Sequence, residues 1–161
     1  MNINETKESS YILFSLVDTT YAIESTFVKQ IEMVENITPV PNSPSFVEGV
    51  IFSRGQVIPS INLRERFGFP KKEFDLKTRL IVVSIDKRLI GLIVDKANEF
   101  VSIKQNEIQD VPETITSLSG KYLSGFTILG KRPILIFNVE EAMNLSDLSQ
   151  NILEKQNLTG E

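Results

Sequence analysis

The chain has 161 residues and a formal net charge of −4, and 41% of its residues are hydrophobic and 24% charged. It contains no histidine and no cysteine, which excludes disulfides, thiolate chemistry, an imidazole base and every metal site that needs histidine. No apolar run approaches the ~20 residues that span a bilayer, so we expect a cytoplasmic protein without membrane insertion. Because the net charge is negative, we also expect no nucleic-acid partner.

The first half of the chain is predicted to form short strands joined by turns. In chain order we predict a strand at 11–17, a turn at 18–20, a returning strand at 21–23, a helical turn at 27–31, an extended stretch at 32–37, an irregular proline-rich segment at 37–46, a hairpin at 50–61 and a short helix ending near residue 68. Asn62 is expected to cap that helix, since Glu65 follows at its third position. The polar run at 70–77 is a candidate linker.

The hairpin at 50–61 carries a lone arginine, Arg54, at its predicted tip. Its two apolar runs are rich in β-branched residues, and Gly55 supplies the positive φ that a tight turn needs. On hairpin chemistry alone, an arginine in a turn is a solvated side chain that favours solubility. A binding role for Arg54 therefore needs support from the rest of the chain.

The second half repeats this order of elements. Strands are predicted at 80–85 and 89–94, and an irregular segment precedes a second hairpin. The stretch GFTILGKRPILIFNVEEAM at 125–143 parallels GVIFSRGQVIPSINLRERF at 49–67 with a constant offset, because Asn138 matches Asn62 (138 − 62 = 76). These ordered matches predict an internal duplication.

The duplication sets the expected fold. Each half supplies about five short strands, so we predict a mainly β chain with two small five-stranded antiparallel β-barrel subdomains, at 11–69 and 78–143, whose boundary strands can exchange. One continuous sandwich is the alternative. The groove between two barrels would be a natural binding site.

The C-terminal segment, 144–161, has apolar residues at roughly helical spacing. They are Leu145, Leu148, Ile152 and Leu153. We predict a C-terminal helix packed on the second barrel, with a partner-binding helix or a partly disordered tail as alternatives.

Catalytic motifs are missing. No glycine pattern that cradles phosphates occurs, and the acidic residues are scattered, with Glu140-Glu141 as the only adjacent pair. A carboxylate, Ser-Lys or tyrosine-based site assembled from distant positions stays open. We expect no cofactor and no bound metal, and we interpret the chain as a protein without enzymatic activity.

Five segments, in order, resemble the CheW family of chemotaxis coupling proteins. They are VKQI at 28–31, PNSPSFVEGVIFSRGQVIPSINLRERFG at 41–68, RLIGLIVD at 88–95, VPE at 111–113 and YLSGFTILGKRPILIFNVEEAM at 122–143. The resemblance implies a single CheW-like domain, 1–161, built from two SH3-like barrels. It also implies an adaptor that bridges the cytoplasmic tips of methyl-accepting chemoreceptors and the regulatory domain of the histidine kinase CheA in membrane-associated receptor arrays.

The resemblance also implies roles for individual residues. The arginine of the turn lies near the receptor-binding surface in this family, which assigns that role to Arg54. Val28, Gln30 and Ile31 fall on the receptor-facing segment, although core packing is the alternative for Val28 and Ile31. The kinase is expected to pack on the surface of the first barrel through a mainly apolar contact, to which no residues are assigned.

Two positions depart from the family pattern. Gln30 stands where glutamate is common, and Phe52-Ser53 stands where Asn-Leu is common. An uncharged Gln30 loses a charge that would orient Arg54 or pair with a cation of the receptor, which questions the receptor preference more than the adaptor role. The alternative function is a small-ligand-binding or enzymatic β-barrel protein that uses the groove between the barrels.

Overall fold

Ten β-strands and two short α-helices form in the part of the chain that the computed structural model describes, residues 7–112 and 122–144. The strands are β1 (Glu8–Leu16), β2 (Thr19–Glu24), β3 (Val28–Met33), β4 (Val47–Ser53), β5 (Gln56–Asn62), β6 (Arg79–Ile85), β7 (Arg88–Val94), β8 (Lys96–Lys104), β9 (Leu123–Leu129) and β10 (Arg132–Phe137), and the helices are α1 (Leu63–Arg66) and α2 (Val139–Ala142). The predicted C-terminal helix or tail from Leu145 onward lies outside the described residues, as does Glu113 of the VPE motif.

The strands form two five-stranded sheets. Sheet I has the order β3-β6-β7-β5-β4, and sheet II has the order β8-β1-β2-β10-β9. Neighbouring strands are antiparallel except for one parallel pair in each sheet, β5 with β7 and β2 with β10. The mainly β class with two five-stranded units is confirmed.

Each sheet takes strands from both sides of the linker at 70–77. Strands β6 and β7 join sheet I, whereas β1 and β2 join sheet II. The sheets therefore do not follow the predicted boundaries at 69 and 78. The exchange that the prediction allowed involves a whole hairpin from each half.

The pairing of the two later hairpins confirms the internal duplication. Phe52 pairs with Val57 in β4–β5, and Ile128 pairs with Pro133 in β9–β10, so both partners are shifted by 76 residues. The asparagine after each hairpin, Asn62 or its counterpart, caps the short helix that follows by accepting a backbone N–H at 3.2 Å. Both hairpins also occupy the same edge position in their sheets.

The first hairpins of the two halves correspond as well. Leu16 pairs with Thr19 in β1–β2, and Ile85 pairs with Arg88 in β6–β7, an offset of 85 − 16 = 69 residues. Both central residues of each turn have positive φ, as a type I′ turn requires. Each half contributes its first hairpin to the sheet that contains the later hairpin of the other half. Sheets I and II therefore have the same arrangement of strands.

Two local predictions were wrong. The helical turn predicted at 27–31 is a single 3-10 turn at Ser25–Phe27, and the residues after it form β3. Strand β8 was not predicted at all. Both strands pair with central strands, β3 with β6 and β8 with β1, and such pairing outweighs local propensity.

A core shared by both sheets, which we call the seam core, fills the space between them. Phe14, Tyr21 and Phe137 of sheet II belong to it together with Ile81 and Leu92 of sheet I. The Phe14 ring stacks on Tyr21 at 5.4 Å and meets the edge of Phe137 at 5.5 Å. Smaller apolar clusters cover the other faces of β1 and β6, and burial on both faces explains the continuous apolar runs of these strands. Packed side chains thus occupy the centre of the predicted inter-barrel groove.

A polar link joins the two sheets at the edge of the seam core. The guanidinium of Arg64 in α1 donates to Asp95 at 2.7 Å, and the Val17 N–H in the β1–β2 turn donates to the same carboxylate at 3.0 Å. Burial by itself would raise the pKa of Asp95, but these hydrogen bonds outweigh burial and hold that pKa below its ordinary value. The ionised form of the Asp95 carboxyl group therefore stabilises the folded state.

Replacement of Asp95 by asparagine should lower the free energy of unfolding by about 1 kcal/mol at neutral pH, because a charge-assisted link is lost. Since the pKa of Asp95 is lower in the folded chain, its contribution is complete above about pH 4 and is lost as pH falls through the native pKa. Urea unfolding of both proteins between pH 7 and pH 2 should show the difference shrinking in acid. A difference that persists undiminished at the lowest pH would contradict this role.

Candidate functional site

The predicted turn arginine lies at the tip of the β4–β5 hairpin. Ser53 pairs with Gln56, which leaves Arg54 and Gly55 as a two-residue turn, and the Arg54 side chain is exposed. No other side or main chain in the described ranges bonds to its guanidinium. Its predicted exposure at a hairpin tip is confirmed.

The backbone of Arg54 is unfavourable for an arginine. Its φ is +49° and that of Gly55 is +78°, and the left-handed region costs a residue with a Cβ about 1–2 kcal/mol. The equivalent position in the β9–β10 hairpin is Gly130, with a φ of +66°. Val17 and Asp86 adopt the same conformation in the first hairpins, so the type I′ turn accounts for it, and a binding role for the guanidinium stays a prediction.

Three polar side chains close sheet I beside this tip. Gln30 donates to Glu32 at 2.8 Å and to the Ser53 hydroxyl at 3.3 Å, and that hydroxyl also reaches Glu32 at 3.5 Å. Strands β3 and β4 are the two edge strands of sheet I. The cluster therefore links one edge of this sheet to the other. The two departures from the family pattern, at residues 30 and 53, therefore contact each other.

Val28 and Ile31 are half-buried and pack against the seam core. These contacts favour the core-packing alternative for part of each side chain. Gln30 instead reaches Ser53, the neighbour of Arg54 in the hairpin, so β3 turns Gln30 toward the tip and Val28 and Ile31 toward the seam core. Their role as receptor contacts stays a prediction.

The sequence analysis missed an apolar surface on the outside of the same hairpin. Phe52 is 73% exposed and its cross-strand partner Val57 is 64% exposed. The next pair on this face, Val50 and Pro59, is half-buried and exposed respectively. We call these four residues the outer face. The alternation of side chains along the two strands could have indicated this surface. Ile51 and Ile58 point into the interior of sheet I, so the apolar residues next to them must point outward.

A depression beside the outer face adds negative charge to the site. Residues of β3, β4 and the chain after β3 line it, namely Glu32, Met33, Glu35, Asn36, Ile51, Phe52 and Ser53. Phe52 and Met33 offer exposed apolar surface, and the two glutamates border it. The site as a whole combines the free guanidinium of Arg54, two carboxylates and an apolar patch, which suits a protein surface better than a small molecule.

The described residues contain neither a metal centre nor a membrane-spanning helix. Within the described residues, no three acidic side chains lie close enough together to hold a metal ion. None of the helices seen there is long and apolar enough to cross a membrane.

Comparison with known proteins places the chain among similar sequences and folds. The CheW-like domain family matches residues 10–147. The chain is 28% identical over 145 residues to the chemotaxis protein CheW of Klebsiella aerogenes, covering 90% of this chain and 87% of that protein. It is 33% identical over 133 residues to the CheW of Helicobacter pylori, covering 83% and 80%. The crystal structure of the scaffolding protein TtCheW from Thermoanaerobacter tengcongensis superposes with a TM-score of 0.75 at 31% identity, covering 81% of this chain and 89% of that one.

Proposed function

The chain belongs to the CheW-like domain family, and on that premise we propose that it is a non-enzymatic adaptor that couples chemoreceptors to the histidine kinase CheA. The observation that carries the proposal is the family match over 10–147 together with an exposed surface of mixed chemistry around Arg54. Relatives named as chemotaxis proteins and one named as a scaffolding protein support it. Cytoplasmic tips of methyl-accepting receptors and the kinase's regulatory domain are the proposed partners.

We assign the receptor to the surface formed by the hairpin tip and β3. The free guanidinium of Arg54 can make forked hydrogen bonds to a carboxylate or to backbone carbonyls of a partner. Val28, Gln30 and Ile31 contribute the exposed parts of their side chains beside it. Since Gln30 is already bonded to Ser53 and Glu32, it holds the tip against β3 and presents Arg54.

We assign the kinase to the outer face, which lies on sheet I. Charge is depleted at the centres of protein interfaces, and apolar side chains are enriched there. Phe52 and Val57 provide such a centre, whereas the receptor surface uses Arg54 and β3. Two adjacent but different surfaces allow one chain to hold both partners, which an adaptor requires.

The alternative, a small-ligand-binding or enzymatic barrel protein, relied on an open groove between the barrels. The seam core fills the centre of that space with packed aromatic and aliphatic side chains, and a cavity remains at its margin. The adaptor is therefore the better-supported function. We place it in the cytoplasm, associated with membrane receptor arrays through its partners.

Co-sedimentation with receptor-bearing membranes tests the proposed function. We expect the chain to pellet with such membranes but not with receptor-free ones, and to bring the kinase into the pellet. Failure to bind either partner would contradict the proposal. So would strong heat stabilisation by a metabolite, because a ligand at a hundredfold excess over its Kd adds roughly 2.7 kcal/mol and an adaptor should show no such effect.

A further inference from the structure

A cavity of about 360 Å³ opens at the margin of the seam core, between the tip of the β6–β7 hairpin and α2. Its apolar lining is formed by Ile85, Ile90 and Met143. Ile85 and Ile90 are half-buried and pack against the seam core. The rim carries the exposed charged side chains Asp86, Arg88 and Glu140. One edge of the core is thus open to any apolar segment that fits this cavity.

The equivalent place in the other half of the chain is covered. The offsets of 69 and 76 residues relate Ile90 to Tyr21 and Met143 to Phe67 (90 − 69 = 21; 143 − 76 = 67). The ring of Phe67 lies over the edge of Tyr21 at 5.6 Å and also stacks on Tyr122 at 5.4 Å. In the second half the equivalent residues, Met143 and Ile90, have no aromatic rings to form such contacts. The cavity beside them is therefore left for another group to cover.

We propose that the chain's own C-terminal segment, residues 145–161, docks in this cavity. Asn144 is the last described residue and itself lines the cavity, so the segment starts at the cavity's edge. The segment has 161 − 144 = 17 residues. Leu145, Leu148 and Ile152 follow the i, i+3, i+7 spacing that gives a helix one apolar stripe.

The tether favours this occupant over a separate partner. A segment held a few residues from its site has an effective concentration in the millimolar range. A free partner helix with the same stripe would have to compete with that concentration. Docking would also bury the three aliphatic side chains of the stripe, which is favourable in proportion to the apolar area removed from water.

Chemical cross-linking tests the proposal, because the natural chain has no cysteine. One cysteine replaces Arg88 at the rim, and a second replaces either Ser149 or Gln150. On a helix, Ser149 lies beside the stripe of Leu145, Leu148 and Ile152, whereas Gln150 lies opposite it. With a short bismaleimide reagent and dilute protein, we expect R88C/S149C to form the intramolecular product about tenfold faster than R88C/Q150C, because docking holds one tail position near the rim and points the other away.

Three controls decide the result. Adding Leu148→Asp should abolish the difference between the two tail positions. Moving the rim cysteine to Lys131, at the exposed tip of the β9–β10 hairpin, should give little product with either. Equal rates at the two tail positions, a difference that survives Leu148→Asp, or products only between two chains would overturn the proposal. Melting curves should match those of the natural chain, since Arg88 and Lys131 are exposed.

Discussion

Replacement of Phe52 by aspartate should weaken binding of the kinase's regulatory domain at least ~30-fold. Phe52 is the aromatic side chain of the outer face and is 73% exposed, and loss of an aromatic anchor at an interface centre costs about 2 kcal/mol or more. A carboxylate would in addition be desolvated there without a partner. Titration calorimetry of the natural and variant chains with a kinase fragment would measure the change.

The duplication provides a matched control for this experiment. Ile128 holds the equivalent position on β9 and is 56% exposed, so Ile128→Asp makes the same change on sheet II. We expect Ile128→Asp to leave kinase binding within about twofold, because surface changes away from an interface have small effects. Binding of the natural chain should also depend only weakly on salt. Equal losses in both variants, or a steep loss of binding at high salt, would count against the assignment of the outer face.

Replacement of Arg54 by alanine should weaken receptor binding five- to tenfold or more, because a charge-assisted contact at an interface typically contributes more than ~1 kcal/mol. Arg54→Lys should restore only part of the loss, since an ammonium group lacks the planar fork of a guanidinium. Folding should change by no more than about ±0.5 kcal/mol in Arg54→Ala, because the side chain bonds to nothing else in the described ranges. Receptor-peptide titrations and unfolding curves on the same preparations would give both numbers.

Arg54→Asn separates function from stability more sharply. Asparagine tolerates positive φ and is favoured in type I′ turns, so this variant should be more stable than the natural chain by a few tenths to ~1 kcal/mol. It should nevertheless bind receptor as poorly as Arg54→Ala. An Arg54→Ala chain that melts several degrees lower and binds receptor normally would show that the arginine is structural.

The repeated hairpins could be predicted from the sequence because their signals are local. Glycine turns, β-branched runs and the capping asparagines recur at one offset, and the pairing of Phe52 with Val57 and of Ile128 with Pro133 follows from it. The exchange of first hairpins could not be predicted in this way. Both halves carry the same alternation, so a hairpin fits either sheet equally well, and only packing in three dimensions decides between them.

Part of the candidate site could also be predicted from the sequence, because its signals are local. A glycine after Arg54 indicates a tight turn, and a turn tip is exposed. The contact between Gln30 and Ser53 spans 23 residues, and one sequence contains no signal for such a pair. The outer face was missed because the apolar runs of this hairpin were interpreted only as strands, whereas an outer strand pair with apolar residues on both faces must expose one face.

The exchange of first hairpins gives this chain the topology of a domain-swapped dimer whose two copies are joined through the linker at 70–77. A cut in that linker would leave two fragments, and each would lack two central strands of its own sheet. Separation of the two halves of the chain would therefore open both sheets at once. The strands that carry Arg54 and the outer face share one cooperative unfolding unit with the strands of the second sheet, so a partner bound to either sheet stabilises the entire chain.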